Sequence, residues 1–207
     1  MSKILYCIRH GTALHNVLFW EIGETVYRKY RDTPLVAKGR EEATELGNTW
    51  NHIDKVELVI VSPLLRTLQT ANNIFSKKKV PMIALDCIME FPQGLDLCNY
   101  RKTIIEYKFC YPNVDFSLIM DTESKNWRHD REETIEELNG RINEMKEFIK
   151  SRKEKHIAIV SHSSYLGYFL HNKIGNEHDE LKHCHPYKII VNYSDKKKFI
   201  SMRKIKE

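Results

Sequence analysis

The chain is 207 residues long, 42% hydrophobic and 29% charged, with Lys+Arg 33 against Asp+Glu 28 and a formal net charge of +5. That length fits one domain carrying at most a sizeable insertion, and the composition excludes disordered, collagen-like and low-complexity classes. The apolar runs, such as residues 4–8, fall far short of the roughly 20 that a membrane helix needs, and no leader-like apolar region follows Met1-Ser2-Lys3; a cytoplasmic soluble globule with no membrane partner is expected.

The basic excess favours anionic ligands. Lys77-Lys78-Lys79, Lys153 with Lys155, and Lys196-Lys197-Lys198 are short clusters near predicted element ends, not a stripe interleaved with aromatics, so no nucleic-acid partner is expected. Five cysteines without a CxxC pair predict reduced thiols, with neither a disulfide framework nor a thiolate zinc site.

In chain order, residues 4–8 form the first predicted strand, apolar at consecutive positions as in a strand covered on both faces. Residues 14–34 fit no simple period. Ala43, Leu46, Gly47 and Trp50 share a helical stripe, a second buried strand spans 58–61, and Leu64, Leu68, Ala71 and Phe75 mark the next helix. A strand at 82–85 precedes a second irregular stretch, 90–131. Ile135, Leu138, Ile142, Met145 and Ile149 define a helix ending near Ser151, and strands follow at 157–160, 187–192 and 199–203, with residues 204–207 expected to fray. The alternation predicts a three-layer α/β/α sandwich whose mostly parallel sheet has an antiparallel edge at 199–203. Irregular stretches as long as 14–34 and 90–131 are expected to be substrate covers on that single domain.

Three predicted strands run into polar residues at their carboxyl ends, where open α/β sheets bind ligands. The first ends in Arg9-His10-Gly11, the second leads into Ser62-Pro63-Leu64-Leu65-Arg66, and the 157–160 strand leads into Ser161-His162-Ser163 at a helix start suited to anions. Taken with Asn16 and Glu90, these residues resemble the histidine phosphatase superfamily and its phosphoglycerate mutase-like fold. Residues 62–71, 114–119 and 152–162 are similar to a phosphoglycerate mutase-like branch of plants and fungi, with a departure at Thr12, where glutamine or glutamate is frequent, and another at Phe91 to Gln93.

The resemblance implies a metal-independent phosphomonoesterase that needs no cofactor. His10 would be the nucleophile, Arg9, Arg66 and His162 would hold the phosphoryl oxygens, and Glu90 would serve as acid and then base. Asn16 is a candidate phosphate donor or a helix cap, and Arg101 a candidate substrate contact or an ordinary ion-pair partner. His15 is expected to pack a loop. His171, His178, His183 and His185 are expected to be packing or exposed residues, since His183 and His185 lack a third ligand at fixed spacing. The substrate would be a phosphorylated small molecule or a phosphoprotein; mutase-type transfer and a catalytically weak phospho-ligand scaffold are the alternatives. The oligomeric state is not legible in the sequence.

Overall fold

A computed structural model describes residues 2–120, 123–174, 181–193 and, for the backbone, 199–204. His178, the 196–198 lysines and residues 205–207 lie outside these. In order, the elements are β1 (Ser2–Arg9), α1 (Leu14–Ile22), α2 (Thr25–Lys29), α3 (Ala37–Thr49), β2 (Leu58–Val61), α4 (Leu65–Ile74), β3 (Met82–Ala84), α5 (Ile104–Cys110), β4 (Val114–Asp115), α6 (Ile135–Ser151), β5 (His156–Ser161), α7 (Ser163–His171), β6 (Pro186–Tyr193) and β7 (Phe199–Lys204).

The strands form one sheet in the order β4-β3-β2-β5-β1-β6-β7. From β4 to β1 every pairing is parallel, β6 is antiparallel to β1, and β7 is antiparallel to β6. The antiparallel pairing therefore begins one strand further in than the 199–203 edge. Helices cover both faces, which explains the unbroken apolar runs. Leu5 and Cys7 of β1 face a core shared with Leu138, Ile142 and Met145 of α6 and Leu166 of α7. Tyr6 and Ile8, one step out of phase, face a second core with Ala43 of α3 and Leu68 and Ala71 of α4.

Strand register places the chemistry. Arg9 pairs with Ser161, and Val61 with Val160, so the carboxyl ends of β1, β5 and β2 stand side by side. The pairing continues one residue further: the His10 N–H donates to the Ser161 carbonyl and the Ser62 N–H to the Val160 carbonyl, each at 3.0 Å. His10, Ser62 and His162 thus leave three adjacent strands on one rim.

The stretch 14–34, expected to be irregular, contains α1 and α2. Its helical period is hidden because apolar residues surround α1, with Trp20 83% and Val17 42% exposed. The stretch 90–131 contains α5, started by a Thr103–Glu106 capping box, and the two-residue strand β4.

The turn after β1 lies flush against α3. A Cβ on Gly39 would fall 2.1 Å from the Thr12 carbonyl oxygen, and one on Gly11 would fall 2.4 Å from the Gly39 carbonyl oxygen. Both obstacles are backbone, so neither can swing aside. Gly39→Ala is expected to destabilise the fold by about 3 kcal/mol, read as a lower urea midpoint at unchanged slope.

Candidate active site

The rim residues meet around a cavity of about 210 Å³ lined by Arg9, His10, Asn16, Arg66 and Glu90, among others. The larger depression along α3, about 550 Å³, is bounded only by that helix's exposed face and has no converging functional groups. His10 is 2% exposed. Its Nδ1 lies 2.7 Å from the Gly11 carbonyl oxygen, which can only accept, so Nδ1 carries the proton and Nε2 keeps its lone pair. Burial, followed by the charge of Arg66, holds the His10 pKa well below the ordinary 6.5, and the ring is neutral at physiological pH.

Arg66 stands in the first turn of α4. Its guanidinium donates to the Cys98 carbonyl at 2.7 Å and to Asn99 Oδ1 at 2.8 Å, while its buried Nε has no partner. The start of α4 is held by Asp32, whose carboxylate accepts from the Leu65 N–H at 2.8 Å and from the Tyr107 hydroxyl. Burial lifts the Asp32 pKa to about 6 in spite of these donors. Arg9 reaches across to the Leu181 carbonyl at 2.8 Å.

His162 begins α7, its ring centroid 5.3 Å from that of His10. Its Nε2 is 2.7 Å from Ser62 Oγ, and its buried Nδ1 has no partner. Burial and then Arg66 hold its pKa well below 6.5. Glu90 follows β3 on an irregular segment, where its carboxylate accepts from the N–H groups of Phe91 at 2.8 Å, Tyr165 at 3.0 Å and Ser164 at 3.4 Å. Burial nevertheless raises its pKa above the usual carboxylate value, outweighing these donors and the arginines. A neutral histidine, two guanidinium groups and a carboxyl of raised pKa around one small cavity suit phosphoryl transfer.

Residues 5–198 match the family described as the histidine phosphatase superfamily, branch 1. The chain belongs to that superfamily. It is 34% identical to a phosphoglycerate mutase-like protein 1 of Arabidopsis thaliana, over 89% of this chain and 74% of that protein. Among solved structures, the α-ribazole phosphatase of Shigella flexneri superposes with a TM-score of 0.60 at 19% identity, covering 93% of this chain and 92% of that one. The ecdysone phosphate phosphatase of Bombyx mori, bound to tungstate, superposes with a TM-score of 0.61 at 16% identity, covering 96% and 92%.

Of the residues singled out from sequence, Arg9, His10, Asn16, Arg66 and Glu90 line the cavity, while His162, fully buried with its ring against that of His10, does not line the cavity. Arg101 does not line it either. Its side chain is buried in a bidentate pair with Asp86, at 2.9 and 3.2 Å, and also donates to the Lys102 and Met120 carbonyls at 3.0 Å, so its charge is committed to the loop and not to a substrate. Asn16 takes the capping role, its Oδ1 accepting from the Ala13 N–H at 2.9 Å at the start of α1, and the residue also lines the cavity. His15 also lines the cavity, anchored at 2.5 Å to Thr33. His183 packs against His10, its ring centroid 5.5 Å away and its Nδ1 2.6 Å from the His10 carbonyl oxygen. Asn99, Ser163 and Ser164 line the cavity as well, although only their neighbours Arg66 and His162 stood out in the sequence. Among the described residues, no group of three or more His, Cys, Asp or Glu side chains is placed to hold a metal ion.

Proposed function

We propose that the chain is a metal-independent phosphomonoesterase acting through a phosphohistidine on His10, with a phosphorylated small molecule or phosphoprotein as substrate. The observation that carries this reading is the His10 tautomer: the Gly11 carbonyl holds the proton on Nδ1, which leaves Nε2 as the nucleophile in a cavity shared with Arg9, Arg66 and Glu90. Nε2 attacks phosphorus, the ester P–O bond breaks, and the departing oxygen takes a proton from Glu90. Water then attacks the phosphohistidine, the N–P bond breaks, and the water proton returns to Glu90. Arg9 and Arg66 balance the charge spread over the phosphoryl oxygens, and His162 adds a neutral donor through Nδ1 when Ser62 donates to its Nε2. Two structural neighbours, an α-ribazole phosphatase and an ecdysone phosphate phosphatase, support hydrolysis. Phosphate release from an aryl phosphate in the presence of a chelator tests the reading: turnover is expected, and its absence would refute it.

The charge beyond the phosphate cavity favours hydrolysis over mutase transfer. Tyr27, Pro92 and Asp96 are shared with a wider recess of about 480 Å³ that also carries Glu24, Glu132 and Arg28. Arg28 faces Asp96 at 3.8 Å, leaving the recess negative on balance. A phosphoglycerate would place its carboxylate among these acids. Glu132→Gln is therefore expected to improve kcat/KM for carboxylate-bearing phosphate esters about fivefold relative to an aryl phosphate at low salt. A scaffold role is less well supported, because phosphate recognition requires neither a nucleophilic His10 nor the raised pKa of Glu90.

A further inference from the structure

We propose that Arg141 is a positioning residue for the Glu90 carboxyl, acting through the backbone that carries it. This inference rests on the role of Glu90 given above. Arg141 lies on the buried face of α6, 2% exposed, where Leu138, Ile142 and Met145 otherwise supply an apolar stripe. It does not line the cavity, and all five of its N–H donors are engaged within the protein.

Three of those bonds grip the segment bearing Glu90. One terminal nitrogen donates to the Met89 carbonyl at 2.7 Å and the Cys87 carbonyl at 3.1 Å, and the other reaches the Glu90 carbonyl at 3.4 Å. The remaining two form a bidentate pair with the buried Glu133, at 2.6 and 2.7 Å. Glu133 extends the grip past the acid: its carboxylate accepts the Gln93 N–H at 3.1 Å, its own N–H donates to the Gln93 carbonyl at 2.8 Å, and Gln93 Nε2 donates to the Glu90 carbonyl at 2.6 Å. The guanidinium also lies 5.1 Å from the ring centroid of Tyr165, whose N–H binds the Glu90 carboxylate at 3.0 Å.

Residues 89–96 have neither helix nor strand, so their carbonyls lack regular partners. Arg141 and Glu133 replace those partners on both sides of Glu90. A general acid is useful only within hydrogen-bond reach of the leaving oxygen, and loosening this frame spoils that reach without touching His10, Arg9 or Arg66.

The test uses kcat/KM, which reports steps up to phosphoryl transfer, for ethyl phosphate and p-nitrophenyl phosphate. Alkoxide departure needs the proton and nitrophenolate departure does not. Arg141→Lys is expected to lose about 30-fold on ethyl phosphate and under about threefold on p-nitrophenyl phosphate. Glu133→Gln, which leaves a neutral side chain of the same shape, is the second variant should Arg141→Lys fail to fold; it is expected to show the same pattern at smaller amplitude. In a Glu90→Gln background neither change should cost anything further on ethyl phosphate, because the group being positioned is gone. Equal losses on both substrates, or undiminished losses in the Glu90→Gln background, overturn the Arg141 proposal alone. If Glu90→Gln itself leaves the ratio of ethyl to nitrophenyl activity unchanged, the role of Glu90 fails, and the Arg141 proposal with it.

Discussion

His10→Ala is expected to reduce phosphate release by about four orders of magnitude or more, while tungstate binding, read by calorimetry, stays within about tenfold of the parent. The separation follows from the division of labour in the cavity. In the proposed mechanism His10 supplies the attacking nitrogen, whereas Arg9 and Arg66 supply the positive charge and are held by bonds that do not involve the imidazole, to the Leu181 carbonyl, the Cys98 carbonyl and Asn99. Losing tungstate binding together with turnover would mean that His10 organises the anion site and is more than its nucleophile.

Glu90→Gln is expected to cost about 10²- to 10⁴-fold in kcat/KM for alkyl phosphates and far less for aryl phosphates with good leaving groups. The pH profile supplies a second readout. Attack requires neutral His10, whose pKa burial holds well below 6.5, so the acid limb lies below that value. Donation requires protonated Glu90, whose pKa burial raises above 4.5, so alkyl phosphate turnover declines as pH climbs past the Glu90 pKa. Aryl phosphates escape the second requirement, and their profile should extend further toward alkaline pH. In Glu90→Gln that difference between substrates should vanish. The slow second step should also let phosphoenzyme accumulate during aryl phosphate turnover, visible as a burst of nitrophenolate.

The sheet and the polar rim at its carboxyl ends were legible because burial on both faces writes a strand as a continuous apolar run, and the polar residue that ends the run marks the side where open α/β sheets bind ligands. His10, Arg66 and His162 follow from that pattern, and Glu90 only from the superfamily resemblance, since it follows a three-residue strand with no periodic signal of its own. The helix α1 was not legible: its apolar residues encircle the axis, and Trp20 is exposed where an amphipathic pattern requires a polar residue. At two residues, β4 is too short for any period. For Arg101 the sequence left a substrate contact and an ion pair as equal readings, because its partner Asp86 is 15 residues away and meets it only in the fold; the ion pair is the one that forms. Arg141 did leave a signal. An arginine inside the stripe of Leu138, Ile142 and Met145 must find buried acceptors, and here they are the carbonyls of the Glu90 segment.

The most direct measurement is ³¹P NMR of phosphoenzyme trapped by rapid quench under mildly alkaline denaturing conditions, with the modified peptide mapped by mass spectrometry. A phosphoramidate on Nε2 of His10 is the expected product, because Nδ1 is occupied by its bond to the Gly11 carbonyl. Phosphorylation on Nδ1, on another residue, or on no residue while phosphate is being released would contradict the account.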